Sequence, residues 1–431
     1  MQEKGGIWIA WGSGDADFLC CNSNNEVLVP EDEPRYILKR IPLHDKEVEG
    51  YYQGYANRIL WPLFHLFVDK MHVEKQYWPI YREVNKKFAQ TAAEVVDEED
   101  FIWIQDYHLT LVPSFLRETL PRAKIGFFWH IPWPPWEIFG TLPQRKKIME
   151  SLLNCDIIGF HTESYVDNFL RCVRNQKDAA MEIQQDTVVM RDHRTVIRPY
   201  PLGISYEEYS HQGKMPLVRK KAQHLKEMYK DRDLILGIDR LDYTKGILDR
   251  ITAFEYFLEQ HPEYRGKVVL VQIATPSRID IEEYCEMKKE IEEAVGKING
   301  RFGSEDWTPV TYFYRKIPQD LLLAYYQAAD IGLLTPLRDG MNLIAKEFAA
   351  TKEDGGVLIL SEFAGAAEEL EEAITVNPYN LPEMAEAIRV AVEMSEEEKH
   401  QRFHALKDKV KQHDSSWWLT EFLNDWEQLY G

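Results

Sequence analysis

Two cationic side chains, Arg240 and Lys245, stand five residues apart in one short polar segment. The segment follows the apolar run 234–238, which is typical of a buried strand, and an amphipathic helical pattern comes after it. Two cations at the start of a helix suit a diphosphate, because the first helical turn also offers unpaired N–H groups. The alternative is a pair of surface cations that are neutralised by Asp239 or Asp242.

A second polar segment follows the apolar run 331–335 and opens onto another helical pattern, predicted from residue 341 onward. It supplies an acid, a loop glycine and an amide at the helix start, in the run Asp339, Gly340, Met341, Asn342 and Leu343. Glu347 comes eight residues after Asp339. At about 1.5 Å per helical residue this is about 12 Å, near the span from a sugar across a diphosphate to a ribose. The pattern therefore favours a nucleotide-sugar site.

The first half of the chain repeats the theme of a strand followed by a polar group. Asp106 follows the apolar run 101–104, and His130 follows the run 125–129. Ligands bind at the carboxyl ends of parallel strands, so both groups are candidates for a binding site. A histidine at the end of one strand is also compatible with a purely structural, hydrogen-bonded side chain.

Aromatic residues with polar tips crowd the stretch 51–62, which contains Tyr52 and Trp61. Flat rings pack on sugar C–H faces while O–H and N–H groups bind hydroxyls, so this composition suits a sugar site. Core packing explains the same composition equally well, and the sequence leaves both interpretations open.

The elements that must position these groups are alternating strands and helices, which predicts an α/β fold with parallel sheets. The predicted strands lie at 7–11, 36–42, 101–104, 125–130, 155–161, 234–238, 267–274, 331–335 and 356–360. The predicted helices lie at 110–119, 162–173, 219–231, 381–394, 395–412 and 416–430. We expect one domain over 1–200, a second over 201–412, and a C-terminal helix over 413–431 that crosses back to the first.

Composition limits the function classes. The 431 residues are 45% hydrophobic and 28% charged, with a formal net charge of −20, which argues against nonspecific binding to nucleic acid or anionic membranes. No apolar run is long enough to span a membrane, and residues 1–6 lack a signal-peptide core. The five cysteines show no metal-ligand spacing, and we expect free thiols in the cytoplasm.

A metal site is not expected. The segment Asp15-Ala16-Asp17 offers two carboxylates, but no third oxygen ligand follows at the usual spacing. Without a metal, the charge on a leaving phosphate must be stabilised by Arg240, Lys245 and backbone N–H groups. We therefore expect no cofactor and no metal.

Several long motifs together resemble one family, the trehalose-6-phosphate synthases of glycosyltransferase family 20. The matching segments, from about residue 5 to residue 430, are YYQGYANRILWP, WIQDYHL, GFFWHIPWPPWEIF, DIIGFHTESY, DRLDYTKGI, QIATPSR, GKINGRFG, TPLRDGMNLIAKEF and SEFAGAAEEL. The resemblance implies the GT-B fold, two Rossmann-like domains facing a cleft, with an acceptor domain followed by a donor domain. It also implies a retaining, metal-independent transfer of glucose from a nucleotide-glucose, UDP-glucose foremost, to glucose 6-phosphate.

The resemblance assigns roles position by position. The donor diphosphate would be bound by Arg240 and Lys245, and the donor ribose by Glu347. His130 would contact the donor hexose near the reacting centre. The donor sugar and phosphate would be held by Asp339, Gly340, Met341, Asn342 and Leu343. The acceptor site would consist of Tyr52, Trp61, Asp106 and Arg278, the last on the acceptor phosphate.

Three departures from the family pattern stand out. The family's first strand, its SNRLP-type motif and its Gly-Gly loop have no counterpart in this sequence, since Gly5-Gly6 stands just before the strand WIAW. The family's HDYH is here Gln105-Asp106-Tyr107-His108, and its GFQT is GFHT at 159–162. The family's IPFP is IPWP at 131–134, with larger rings near the expected acceptor pocket.

These departures leave alternatives open. One is a related family 20 transferase with another phosphorylated acceptor, such as a glucosylglycerol-phosphate synthase or a pseudoglycosyltransferase. Another is a weakly active regulatory subunit. The sequence does not separate UDP from ADP or GDP, because the base would meet mainly backbone near Lys316 and Ile317. We expect small-molecule substrates as partners, with a homo-oligomer possible.

Overall fold

The structure of the protein is a computed structural model that describes residues 5–12, 14, 17–176, 181–277, 282–353 and 355–430. The chain divides into two compact units. The first unit comprises Met1–Pro199 and Asp425–Gly431, and the second comprises Tyr200–Asn424.

The described residues of the first unit form nine strands in two sheets. The strands are β1 (Ile7–Trp11), β2 (Glu26–Val29), β3 (Tyr36–Ile41), β4 (Phe101–Gln105), β5 (Lys124–Phe128), β6 (Ile157–Phe160), β7 (Met181–Gln184), β8 (Thr187–Met190) and β9 (His193–Pro199). One sheet has the order β1-β3-β2 and the other the order β4-β5-β6-β9-β8-β7. Strands β4, β5 and β6 are parallel, as expected. Strand β9, which the sequence did not predict, pairs parallel with β6. Strands β2, β7 and β8 were not predicted either, and they pair antiparallel.

Helices connect these strands. They are α1 (Asp45–Val48), α2 (Trp61–Phe64), α3 (Tyr77–Ala93), α4 (Val112–Thr119), α5 (Trp136–Phe139), α6 (Arg145–Leu152) and α7 (Glu163–Asn175). A π-helix spans Glu49–Leu60, and 3₁₀ turns span Val68–Lys70 and Tyr107–Leu109. The aromatic stretch of the sequence is thus helical throughout, with Tyr51, Tyr55 and Trp61 in the core of the unit.

The second unit is a doubly wound α/β structure. Its strands are β10 (Asp233–Arg240), β11 (Val268–Thr275), β12 (Val310–Tyr314), β13 (Ile331–Leu334), β14 (Val357–Ser361) and β15 (Ile374–Val376). Its helices are α8 (Tyr206–Gly213), α9 (Pro216–Met228), α10 (Ile247–Gln260), α11 (Glu282–Phe302), α12 (Gln319–Ala328), α13 (Leu343–Thr351), α14 (Leu381–Glu393) and α15 (Glu396–Gln412). Helix α16 (Ser415–Gln428) begins here and ends in the first unit, where Trp426 packs edge-on against Phe101 at 4.6 Å.

The six strands that the structure describes in the second unit are parallel, in the order β12-β11-β10-β13-β14-β15. Successive residues of β10 enter two different cores, Leu234 and Leu236 on one face of the sheet and Ile235 on the other. A strand that is buried on both faces reads as a continuous apolar run, which is why the sequence revealed it. No helix within the described residues is long and apolar enough to cross a bilayer.

Candidate active site

The strand order of the second unit fixes where a ligand can bind. The chain leaves β10 toward β11 on one side and returns to β13 on the other, so the topology reverses between β10 and β13. In doubly wound sheets ligands bind outside the carboxyl ends of the strands at this switch point. The two polar segments that the sequence singled out follow β10 and β13, and they meet here.

The corner after β10 is tightly shaped. A single 3₁₀ turn, Tyr243–Lys245, leads into α10 through Gly246 at φ 60°. The carboxylate of Asp242 accepts hydrogen bonds from the backbone N–H and the hydroxyl of Thr244, at 3.0 and 2.9 Å. A Cβ on Gly246 would lie 2.8 Å from the carbonyl oxygen of Thr335, so only glycine fits this close approach.

Lys245 faces the corner that follows β13. Its Nζ lies 2.6 Å from Oδ2 of Asp339, with side chains only 10% and 17% exposed. Asn342 Nδ2 donates to the same oxygen at 3.1 Å. The alternative, in which Lys245 would pair with Asp239 or Asp242, therefore does not describe the ion pair that Lys245 forms.

Asn342 adopts left-handed backbone angles, φ 70° and ψ 71°, and caps α13 by accepting a hydrogen bond from Ala345 N–H at 3.2 Å. Helix α13 consequently begins at Leu343, and the predicted start at residue 341 is wrong. Met341 lies in the apolar core instead, at 3% exposure. The expected helical distance of about 12 Å from Asp339 to Glu347 assumed eight helical residues and does not apply, because Asp339 precedes the helix.

A buried arginine forms hydrogen bonds with the residues of the corner after β10. Arg250 on α10 is fully buried and donates to Asp239 Oδ2 at 2.5 Å, Gln272 Oε1 at 3.0 Å and the carbonyl of Lys245 at 3.3 Å. Burial raises the pKa of Asp239, and the Arg250 charge opposes that rise. The space that the guanidinium occupies exists because residue 237 is glycine, where a Cβ would meet Arg250 Nη1 at 3.0 Å. Arg250 thus fixes the backbone that presents Lys245.

Glu347 is held by two tyrosines that the sequence did not suggest. Tyr209 of α8 donates to its Oε1 and Tyr326 of α12 donates to its Oε2, both at 2.9 Å. Burial raises the pKa of Glu347, and the two hydroxyls oppose that rise. The carboxylate is thereby fixed in one orientation and keeps lone pairs for a further donor.

Removing both hydroxyls should loosen this carboxylate. If Glu347 binds the donor ribose, as the resemblance implies, the Tyr209→Phe/Tyr326→Phe double variant should raise KM for the nucleotide-sugar about 5–20-fold with little change in kcat, because such a contact acts equally in the ground and transition states. Steady-state kinetics with varied donor measures this. Tyr264→Phe is the matched control, since Tyr264 donates to the surface carboxylate of Glu393. An unchanged KM in the double variant would contradict the orientation role.

The remaining residues predicted for the donor site lie on the same two corners. Arg240 ends β10 as an exposed residue. Gly340 and Leu343 flank the buried residues Met341 and Asn342. The carbonyl of Gly340 would lie 2.1 Å from a Cβ on Gly365, so the loop that follows β14 closes tightly on this segment.

In the first unit, Asp106 and His130 are brought together. Asp106 Oδ1 accepts from the backbone N–H of His130 at 3.2 Å, and Asp106 N–H donates to the carbonyl of Phe128 at 2.8 Å. The backbone of Asp106 has φ 68° and ψ 170°, a region that is essentially restricted to glycine. Such strain is held in place by its surroundings and is typical of functional sites.

Burial shifts both titrating groups toward neutrality. It raises the pKa of Asp106 to about 7, although backbone N–H groups of Tyr107 and His130 oppose the rise. It lowers the pKa of His130 to about 4. His130 is therefore a neutral imidazole at physiological pH, whereas Asp106 changes its charge within the physiological range.

The Asp106 shift has a consequence for stability. A carboxyl whose pKa is about 3.9 unfolded and about 7 folded favours folding at low pH, and this contribution disappears as the pH rises through 7. Asp106→Asn removes the cost of ionisation. We expect the variant to gain about 2 kcal/mol more stability over wild type at pH 8.5 than at pH 5.5, or about 4–8 °C in Tm.

Thermal unfolding at the two pH values measures this gain. The exposed Asp100→Asn serves as the control. A stability difference between wild type and Asp106→Asn that does not depend on pH would contradict the raised pKa.

Two predicted acceptor residues pack beside Asp106. The ring of Tyr52 stacks on His108 at 5.5 Å, and Trp61 contacts Tyr107 at 5.9 Å. Trp61 is 6% exposed, so core packing accounts for most of its surface. Arg278, Asp15 and Ala16 lie outside the described residues.

Three residues at these sites were missed in the sequence, namely Tyr209, Arg250 and Tyr326. Arg250 could have been recognised from the sequence. It lies on the apolar face of α10 with Ile247 and Phe254, where a charge must be buried and paired. Tyr209 and Tyr326 could not, since only the fold brings α8 and α12 to α13. Among the described residues, no cluster of three or more His, Cys, Asp or Glu side chains could hold a metal ion.

The fold and these corners define an α/β protein of the doubly wound class, with its candidate site at the switch point of the sheet. A family model described as glycosyltransferase family 20 matches residues 1–428. The chain belongs to this family.

Curated relatives agree with the assignment. A bifunctional trehalose-6-phosphate synthase/phosphatase of Thermoproteus tenax is 43% identical over 90% of this chain, which spans about half (53%) of that relative's length. An alpha,alpha-trehalose-phosphate synthase [UDP-forming] of Pichia angusta is 39% identical over 97% of this chain and 88% of its own.

Two solved structures extend the comparison. A trehalose-6-phosphate structure from E. coli bound with UDP-2-fluoro glucose matches with a TM-score of 0.91 and 35% identity, covering 98% of this chain and 92% of that one. An alpha,alpha-trehalose-phosphate synthase (UDP-forming) from Burkholderia xenovorans in complex with glucose-6-phosphate matches with a TM-score of 0.91 and 33% identity, covering 99% and 94%. The expected GT-B fold class is confirmed.

Proposed function

We propose that this protein is a retaining glucosyltransferase that moves glucose from UDP-glucose to glucose 6-phosphate, giving trehalose 6-phosphate. One observation carries the proposal: Lys245, Asp339 and the Asn342-capped start of α13 converge at the switch point of the second unit. Relatives named as UDP-forming trehalose-phosphate synthases, and structures bound to a UDP-glucose analogue or glucose-6-phosphate, support the choice of substrates.

The second unit takes the donor. Arg240 and Lys245 neutralise the diphosphate, while the start of α13 adds a favourable dipole. Gly340, Met341, Asn342 and Leu343 bind sugar and phosphate largely through backbone. Asp339 orients Lys245 and contacts the hexose, and Glu347 accepts from the ribose hydroxyls.

The first unit takes the acceptor. Tyr52 and Trp61 border the sugar, and Asp106 accepts hydrogen bonds from its hydroxyls as a carboxylate. Arg278 is assigned to the acceptor phosphate by resemblance alone. His130 contacts the donor hexose near the reacting carbon.

In the transfer step the bond between the anomeric carbon and the β-phosphate oxygen breaks, and a bond to the acceptor hydroxyl oxygen forms on the same face. The hydroxyl proton passes to the leaving phosphate oxygen. The cations Arg240 and Lys245 stabilise the developing phosphate charge, and we infer a metal-independent reaction. Activity in excess EDTA tests that inference, and NMR of the product anomeric protons tests retention.

The deciding experiment varies donor and acceptor together. The protein is incubated with UDP-, ADP- or GDP-glucose and with glucose 6-phosphate, glycerol 3-phosphate or free glucose, and nucleotide release is followed. We expect turnover with UDP-glucose and glucose 6-phosphate. Turnover with glycerol 3-phosphate alone would replace this acceptor, and nucleotide binding without turnover would support the regulatory alternative.

A further inference from the structure

The amide of Gln105 contacts the imidazole of His130. Gln105 is the last residue of β4 and pairs with Phe128, the last residue of the neighbouring strand β5. His130 follows Phe128 by two residues. Its Oε1 lies 2.7 Å from Nε2 of His130. Among the described residues, Nε2 is the only ring nitrogen of His130 with a hydrogen-bond partner.

An amide oxygen can only accept a hydrogen bond, so Nε2 of His130 must carry the proton. Because the ring is neutral, the other nitrogen, Nδ1, then carries a lone pair. The remaining contacts hold the ring in place, with Phe128 at 4.8 Å, His161 at 5.5 Å, and His161 Nε2 3.1 Å from the His130 carbonyl. The ring is thereby presented in one orientation and one tautomer.

We propose that Gln105 is a positioning residue that holds His130 as the Nε2–H tautomer, so that Nδ1 accepts a hydrogen bond from one hydroxyl of the transferred sugar. This inference rests on the proposed function, in which His130 meets the donor hexose. It makes His130 an acceptor that selects a hydroxyl at one position of the sugar. If a donor replaces the acceptor at residue 105, the proton of His130 moves to Nδ1, and Nδ1 can then no longer accept a hydrogen bond from the sugar hydroxyl.

Two variants of similar length separate the possibilities. Gln105→Glu keeps an acceptor facing Nε2, whereas Gln105→Lys presents a donor that requires a lone pair on Nε2 and so places the proton on Nδ1. The ¹⁵N NMR spectrum of ring-labelled histidine at pH 8 reports which nitrogen is protonated, and a His130→Gln variant identifies the His130 signals. We expect a protonated Nε2 in wild type and Gln105→Glu, and a protonated Nδ1 in Gln105→Lys.

Kinetics supply the functional test. At pH 8 we expect Gln105→Glu to keep kcat/KM within about threefold of wild type and Gln105→Lys to lose about 10–100-fold. We then compare each member of a panel of monodeoxy UDP-glucose donors with UDP-glucose itself. With wild type, one deoxy donor should react more slowly than UDP-glucose. With Gln105→Lys, the same deoxy donor should react no more slowly than UDP-glucose. Gln90→Lys, at an exposed position of α3, is the matched control, and thermal unfolding verifies that each variant folds.

Several results would overturn the inference. These are a protonated Nδ1 in the wild-type protein, wild-type activity in Gln105→Lys, or a deoxy-donor penalty that is the same in both proteins. The NMR result does not depend on turnover. A correct tautomer with no transfer to any acceptor would therefore count against the proposed function and leave the role of Gln105 in setting the tautomer intact.

Discussion

Replacing Lys245 with alanine is expected to lower kcat/KM for glucosyl transfer by about 10²–10³-fold, equivalent to about 2.7–4 kcal/mol of transition-state stabilisation. The ammonium is almost buried, and a charge in such a site acts through a low dielectric. Its partner Asp339 belongs to the corner after β13, so the substitution removes a cation and also removes the ion pair of that carboxylate, which keeps its hydrogen bond from Asn342.

The design separates these two effects. If Lys245 served only to neutralise Asp339, the double variant Lys245→Ala/Asp339→Asn would be as active as Asp339→Asn alone. We expect the double variant to be more stable than Lys245→Ala and less active than Asp339→Asn. Lys226→Ala, on the exposed side of α9, is the control and should match wild type. Arg240→Ala is expected to lose a similar factor, and kcat/KM within threefold of wild type in both Arg240→Ala and Lys245→Ala would refute the diphosphate role.

The second large effect concerns stability. Arg250→Met should cost about 3–5 kcal/mol of folding free energy, because it leaves the carboxylate of Asp239 buried without a countercharge. Asp239 lies at 2% exposure. Since burial raises its pKa, the deficit should shrink as the pH falls and Asp239 takes up a proton.

Thermal unfolding between pH 5.5 and 8.5 measures this loss. The double variant Asp239→Asn/Arg250→Met should recover a large part of the stability, since no unpaired charge remains. The control is Arg389→Met, which breaks a surface pair with Glu386 and should change stability by less than about 1 kcal/mol. An Arg250→Met protein as stable as wild type would show that the buried pair contributes nothing.

The double variant also tests the link to catalysis. It lacks the guanidinium that binds the Lys245 carbonyl. We expect the double variant to fold yet to transfer glucose more slowly than wild type, because the turn that carries Lys245 has lost its hydrogen bond to the guanidinium.

Sequence reasoning found the corners because their chemistry is local. Each corner pairs a continuous apolar strand with a polar segment a few residues long, and both signals lie within about ten residues of chain. The resemblance supplied what local patterns cannot, the substrates and the roles of single residues. Local patterns also leave the order of the strands open, since pairing between β10 and β13 joins segments about ninety residues apart in the sequence.

Other parts depended on contacts that only the folded chain creates. The sequence marks Gln105 only as a departure from the family motif, and its contact with His130 depends on the pairing of β4 with β5. The start of α13 was misplaced because helical spacing of apolar residues continues through Met341, while the left-handed backbone of Asn342 interrupts the helix. Asparagine tolerates that conformation well, so its presence alone gave little warning.

The backbone of Asp106 carries an evolutionary implication. Glycine would relax the left-handed geometry, which costs on the order of 1–3 kcal/mol for other residues, and would also abolish the expense of ionising a buried carboxyl. Both effects favour glycine on stability alone. The aspartate at this position therefore lowers the stability of the fold, as is expected where function requires the carboxylate.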